Sequence, residues 1–416
     1  MAAATLSPIT PKPDHVHDAL VYDFDVHNDP ALLVDPHARI LNLLETAPPV
    51  FWSPRNGGNW IALSHAANYE ASRDTETFSS SSMSREQMET MRAAMPAGTP
   101  HIPMPVPITM DPPEHTQYRA PLQRVFSPKT IAALKDSIRA LAAELIAEVR
   151  QQGGCDFMAT IGEQLPVQVF LKMLGLPLDR LPEYRAIVKA HMQSIGDRAG
   201  TVMRMRQIAD SMQDVVLARK DDPQDDIISM LWALEVDGKK STLEDMENYG
   251  VLLFIAGLDT VMNGMGLAMR GLATDPELQA RLRADPKLIP EASEEMLRRY
   301  TFTVPVRTVR REKEIAGAPV RPGDQFILYL PAADLDASEF PAPDQYDMKR
   351  ENNVHIAFGV GPHRCLGSHL ARIEIQLLYE EMLAGLPEFR LDPDLPPTYH
   401  GGHVIGPETL HLVWNA

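Results

Sequence analysis

Cys365 lies in Phe358-Gly359-Val360-Gly361-Pro362-His363-Arg364-Cys365-Leu366-Gly367, a stretch with three glycines and a proline. Such a segment turns tightly and lets the backbone approach a bound group. A helix-like run from Ser368 to about Leu383 follows it. The positive N-terminal end of that helix, with His363 and Arg364 beside the sulfur, would stabilise a thiolate. A cysteine so placed can be a nucleophile, a redox thiol or an axial metal ligand, whereas a lone cysteine elsewhere is more often a small buried hydrophobe. The other cysteine begins Cys155-Asp156-Phe157-Met158, with no basic or histidine companion, and is assigned to packing.

Three further groups have chemical potential. Leu252-Leu253-Phe254-Ile255-Ala256-Gly257-Leu258-Asp259-Thr260 is an apolar run that suddenly carries a glycine, an acid and a hydroxyl. Glycine weakens a helix interior by about 1 kcal/mol and a buried carboxylate must find partners, so a purely structural account needs compensation. Glycine also lets a helix bulge or approach a ligand, and a threonine can hydrogen-bond into the opened turn. His115 and Arg119 are four apart, on one face of a helix opened by Asp111-Pro112-Pro113-Glu114, where they could grip one anion or simply be solvated. Glu295 and Arg298 have the i, i+3 spacing of an ion pair, a common and weak feature when exposed.

The elements that must position these groups read as mostly helical. Amphipathic patterns run over 131–151, 161–174, 181–195 and 201–219, and a capping-box pattern of Ser241 and Glu244 opens one long helix to about Ala273. At 1.5 Å per residue that helix would span about 48 Å. Val50 to Leu63 reads as a hairpin turning at Asn56-Gly57-Gly58, and short strands are expected over 303–309, 314–316 and 325–330. Met88, Met91 and Met95 fall at helical spacing before a proline-rich loop that carries His101, and two glycines within 194–201 mark a hinge between helices.

Composition narrows the classes. The 416 residues carry a net charge of −17, which argues against broad nucleic-acid affinity. Two cysteines exclude a disulfide framework and make a reducing cytoplasm the default compartment. Met1 to Val26 lacks the basic and apolar regions of a signal peptide, and no run is read as reaching the roughly 18 apolar residues of a membrane span. No repeat or linker divides the chain.

Four stretches, in order, resemble those of the cytochrome P-450 haem-thiolate monooxygenases. Phe358-Gly359-x-Gly361-x-His363-x-Cys365-x-Gly367 is similar to the family's haem-binding loop and Ala256 to Thr260 to its oxygen-activation segment. Glu295-x-x-Arg298 is similar to its core ion-pair motif, and Asp111 to His115 to the start of its haem-contacting helix. Gly257 to Val261 with Asn263, Glu294 to Arg299, and Leu412 to Asn415 bring the chain closest to the soluble bacterial camphor hydroxylase and its relatives.

The resemblance implies a mainly α protein with a small β-rich portion, a triangular single domain over 1–416 around a long central helix. It implies haem b with Cys365 as iron ligand and His115, Arg119, Arg307 and His363 on the propionates. A thiolate ligand pushes electron density to iron and favours O–O cleavage, and Asp259 and Thr260 would relay the protons that the reaction of O2 needs. Leu252, Ile255, Thr303, Val304 and Val404 would form an apolar pocket wall, with His101 as a polar contact. Camphor hydroxylase carries a tyrosine where Pro103 or a neighbour stands, so the expected substrate is another small hydrophobic compound, terpenoid or norisoprenoid. Gln345 stands where many relatives place a basic residue that completes the Glu295 and Arg298 network.

No flavin or nicotinamide fingerprint is present, so the expected electron source is a two-iron ferredoxin with an NADH-dependent flavin reductase. Arg119, Arg364 and Arg372 would make its basic docking patch. The expected enzyme is a cytoplasmic monomer with no nucleic-acid or membrane partner. Three alternatives stand beside it. A peroxide-driven haem-thiolate enzyme would not need Asp259 and Thr260. A haem-based sensor needs no acid and hydroxyl in the long helix. A thiol hydrolase dyad of Cys365 and His363 needs no anion clamp, and a two-residue separation on a turn is poor geometry for it.

Overall fold

The computed structural model describes residues 5–83, 86–87, 90, 94, 101–192, 198–236 and 238–415. Met88, Met91 and Met95 and residues 194–197 of the hinge expected over 194–201 lie outside them. The fold is mainly α with small sheets, and the chain divides into two compact units. One comprises Met1–Ser79, Ile131–Leu165 and Thr260–Ala416, and the other Ser80–Thr130 and Pro166–Asp259.

The first unit is built around a five-stranded sheet in the order Val50–Ser53, Asn59–Ala62, Gln325–Leu328, Val306–Val309, Phe78–Ser79. The expected hairpin forms, and its turn places Asn56, Gly57 and Gly58 all at positive φ (56°, 87° and 85°), a conformation that asparagine and glycine tolerate best. Alternate residues of each strand enter two different cores. Trp52, Trp60, Phe326 and Leu328 pack on one face, and Phe51, Ile61 and Ile327 on the other. A sheet buried on both sides explains why Val50-Phe51-Trp52, Trp60-Ile61-Ala62 and Phe326-Ile327-Leu328 are continuous apolar runs rather than alternating ones.

Helices of the same unit surround the Cys365 region. Ser368–Gly385 buries Leu370, Ile375, Leu378 and Tyr379, and it packs on Lys135–Arg150 and Ile289–Arg299. Cys155 lies in the short strand Gly154–Asp156, opposite Leu412 of His411–Trp414. It is half-buried, and burial raises its thiol pKa, in keeping with a packing role.

In the second unit, helix Leu243–Leu258 presents Tyr249 and Phe254 to its neighbours: the Tyr249 hydroxyl donates to the carbonyl of Tyr118, and Tyr184 meets Phe254 edge-on. Gly257 is required by packing here. A Cβ at that position would lie 2.2 Å from the ring of Phe170.

Two sequence expectations about the long helix are corrected. Its capping box is one residue later than Ser241 and Glu244: Thr242 accepts from the amide of Asp245, whose carboxylate returns the bond to the Thr242 amide. The helix is also not continuous, since Leu243–Leu258 ends at Asp259 (φ −116°) and Thr260–Ala273 begins anew. The whole stretch Leu243–Ala273 is long and apolar enough to cross a membrane by length and composition, contrary to the sequence reading, but 61% of its most apolar window is buried inside the protein. Such burial is what a core helix shows.

Candidate functional site

The Cys365 loop is set by its backbone. The amide of Gly359 donates to the carbonyl of Ile356 (2.7 Å), closing a tight turn, and that of Cys365 to the carbonyl of Phe358 (2.8 Å), closing the loop itself. Gly359 and Gly361 have φ of 67° and 74°. At Gly361 a Cβ would also lie 2.7 Å from the carbonyl oxygen of Ser72, so only glycine fits. Helix Ser368–Gly385 starts directly behind, with Gly367 as an N-cap that makes no side-chain hydrogen bond. Cys365 itself is exposed.

A brace beneath this loop was not legible in the sequence. The Arg372 guanidinium lies over the Phe358 ring, 4.4 Å from its centroid, and pairs with Glu294 through both Nε (2.5 Å) and Nη2 (3.0 Å). His355 Nε2 reaches the same carboxylate at 3.1 Å. Burial pushes the Glu294 pKa up, but hydrogen bonds from His355 and Arg372 and the Arg372 charge outweigh it and hold the group at about 2. Arg372, expected as part of a docking patch, is thus already neutralised by Glu294.

Glu295 and Arg298 are fully buried, not an exposed weak pair. Arg298 donates twice to Glu295 (2.9 and 2.7 Å), and to the carbonyls of Asp334 and Pro343. Glu295 also accepts from Arg350 (3.2 Å), Asn353 and the Asp347 amide (3.1 Å), while Gln345 contributes its backbone carbonyl to Arg350. The basic residue missing at 345 is therefore supplied five positions later. Asp334, fully buried and with its pKa raised by burial, accepts from Thr301 and from the amide of Ile356. That bond ties the network to the entry of the Cys365 loop.

The remaining expected residues fall as follows. In the first unit Arg307 lies on strand Val306–Val309 and His363 in the turn Gly361–His363. Thr303 bridges Val404, and the Val304 amide donates to the His403 carbonyl (2.8 Å), so these three wall residues come together. In the second unit Leu252 and Ile255 are one turn apart on helix Leu243–Leu258, and Asp259 follows its end. His115 and Arg119 share helix Glu114–Val125. The His115 ring is buried, and burial first and the Arg119 charge second lower its pKa to about 4, Asp111 opposing. Both effects favour the uncharged imidazole at neutral pH. His101 Nε2 meets Asn248 Oδ1 at 3.0 Å, and its carbonyl accepts from Arg206.

A cleft of about 490 Å³ in the first unit is lined by Asp35, His37, Arg270, Arg299 and Asp344 and by none of the expected site residues. Its charges close on one another through Asp35–Arg270 and Asp344–Arg299.

The donor chemistry at Cys365 suits a haem. Among the described residues no group of three or more His, Cys, Asp and Glu could hold a bare metal ion, so a single exposed thiol fits an iron that arrives with its other ligands in place.

Comparison with known proteins agrees with this chemistry. The family model described as Cytochrome P450 matches residues 167–408. The chain is 33% identical over 413 residues to "Probable cytochrome P450 127A1" of Sinorhizobium fredii, covering 97% of each. It is 30% identical to "Cytochrome P450-terp" of Pseudomonas sp., covering 83% of this chain and 85% of that one. The crystal structure of CYP101J2 matches with a TM-score of 0.86 at 30% identity, covering 98% of this chain and 100% of that one. A thiol-bearing glycine loop, a buried Glu-Arg core and near full-length similarity converge, and the chain belongs to the cytochrome P450 family of monooxygenases, which carry haem b on a cysteine thiolate.

Proposed function

We propose that this monooxygenase hydroxylates a small hydrophobic substrate of terpenoid or norisoprenoid type, using O2 and electrons from a two-iron ferredoxin with an NADH-dependent flavin reductase. The observation that carries the substrate class is the wall of Thr303, Val304 and Val404, in which both valines are buried and no side chain is charged. Similarity to the protein named P450-terp supports the same class. Cys365 is the iron ligand. Arg119 and Arg307 supply charge to the propionates, while His363 and the neutral His115 donate hydrogen bonds to them. Leu252 and Ile255 are further apolar contacts of the substrate, and His101 orients a polar group of it. The chain acts as a cytoplasmic monomer and as one domain over 1–416.

When bound, the haem supplies the activation of O2 and the oxidising power that inserts oxygen into an unactivated C–H bond. The protein's residues supply what an apolar pocket lacks. Asp259, at the interruption between the two helices, takes protons from the solvent side on its carboxylate, and the Thr260 hydroxyl passes them inward. Where apolar side chains exclude bulk water, a proton needs such a relay. The Glu295 and Arg298 core and the Glu294 brace hold the cysteine loop in place.

The test uses the purified holoenzyme. Reduced and exposed to carbon monoxide, it shows the red-shifted Soret band of thiolate ligation, and Cys365→His abolishes that band. Limonene and β-ionone, as terpenoid and norisoprenoid probes, produce a low- to high-spin shift and hydroxylated products with ferredoxin, reductase and NADH. A shift with long-chain acids or steroids and none with these probes would sink the substrate class. Thr260→Ala continues to consume NADH with little product. Full coupling in that variant would instead favour a peroxide-driven enzyme.

A further inference from the structure

Asn263 follows Thr260 by three residues, on the same side of helix Thr260–Ala273, and none of its surface is exposed. A buried carboxamide has to find partners. Asn263 Oδ1 meets His400 Nε2 at 3.0 Å, and because a carbonyl oxygen only accepts, Nε2 carries the hydrogen. His400 ends the strand Thr398–His400, which pairs with Gly406–Thr409, His400 standing opposite Gly406. The Asn263 amide is seated directly on Gly406: a Cβ there would lie 1.9 Å from Oδ1 and 2.6 Å from Cγ. The hairpin is thus fastened to one turn of the helix at both ends of its loop.

That loop carries the pocket wall. Val404 bridges Thr303, the Val304 amide donates to His403, and the Ile405 amide donates to Phe302. Phe302 closes the circuit, since its ring lies 2.9 Å from where a Cβ of Gly264 would stand, one residue beyond Asn263. All of these residues belong to one compact unit.

We propose that His400 is a positioning residue that, through Asn263, keeps the Thr260 hydroxyl in register with the Thr303 and Val404 wall. The inference rests on the roles proposed above for Thr260 and that wall. An apolar substrate offers few hydrogen bonds by which to be oriented, so the wall fixes where the C–H bond stands. The Asn263–His400 bond fixes the wall against the proton donor. Loosening it lets the substrate and the donor drift independently, and reduced oxygen is then released before it is used.

The experiment compares His400→Leu, which fills the volume without a donor, with His400→Gln, whose amide nitrogen can reach Asn263 Oδ1. Amide hydrogen exchange of the holoenzyme over 260–267 and 402–406 needs no substrate. It rises about ten-fold in His400→Leu, as expected for loss of one partly buried hydrogen bond, and returns close to wild type in His400→Gln. With β-ionone as probe, product formed per NADH falls several-fold in His400→Leu and recovers in His400→Gln, while haem content stays the same. Wild-type exchange in His400→Leu, or equal damage in both variants, overturns the proposal, the second result pointing to packing alone. If Thr260→Ala stays fully coupled while His400→Leu alone raises exchange, the proton-relay reading has failed and the link between helix and wall stands.

Discussion

The network under the cysteine loop and the network that anchors His101 use the same residue types to different effect. In the first unit, Arg298 and Glu295 are fully buried, and the surplus donors of Arg298 end on the backbone carbonyls of Asp334 and Pro343. In the second unit, Arg206 pairs with Glu247 (2.6 Å) and Asp210 (2.8 Å) and touches the His101 carbonyl, but keeps 23% of its side chain in solvent. Removing one member of the buried network strands a charge that water cannot reach. At the edge of the other, water can take the missing partner's place. The loop that presents the thiolate is therefore held in one geometry, and the segment from His101 to Met104 is held by bonds that can be exchanged.

The contrast is broken most severely at Glu295. Glu295→Ala leaves Arg298 and Arg350 facing each other without a carboxylate, and a loss of about 3–5 kcal/mol is expected. Chemical denaturation and the haem content of the purified protein measure it, and a loss below about 1 kcal/mol would mean that the buried network is no stiffer than a surface pair.

The second test is a pH dependence at the Glu294 brace. Its folded pKa, about 2, lies below the unfolded value of 4.5, so its stabilisation is complete above pH 4.5 and disappears as the pH falls toward 2. Glu294→Gln should be less stable than wild type by about 2 kcal/mol at pH 7, and the gap should narrow steadily between pH 4.5 and 2. A gap independent of pH would show that the pairing with Arg372 and His355 is not what lowers the pKa.

Local signals carried much of this molecule. Asn56-Gly57-Gly58 announces a turn because left-handed backbone has few residues to choose from, and the glycines around Cys365 announce a loop for the same reason. The i, i+3 spacing revealed that Glu295 and Arg298 meet, though not that they are buried. What stayed hidden joins residues far apart along the chain: Glu294 to His355 and Arg372, Glu295 to Arg350 and Asn353, and Asn263 to His400. No periodicity links such positions, and only packing brings them within reach. Gly257 shows the same limit from the other side, since its composition signal was visible and its cause, the ring of Phe170, was not.

The smallest effect is expected at Arg206, and it separates stability from adaptability. Arg206→Ala removes the tie between Glu247 and the His101 carbonyl, but leaves His101 and the Met104 amide on Asn248 Oδ1. With the arginine gone, water enters beside Glu247, so the loss of stability should be about 1 kcal/mol, well short of that at Glu295. The effect should appear instead in local motion: amide exchange over 101–104 rises, and the spin shifts induced by limonene and β-ionone become more alike because the contact discriminates less. Unchanged exchange over 101–104 together with a large global destabilisation would reverse the comparison, making the Arg206 network a core element of the same kind as the one beneath Cys365.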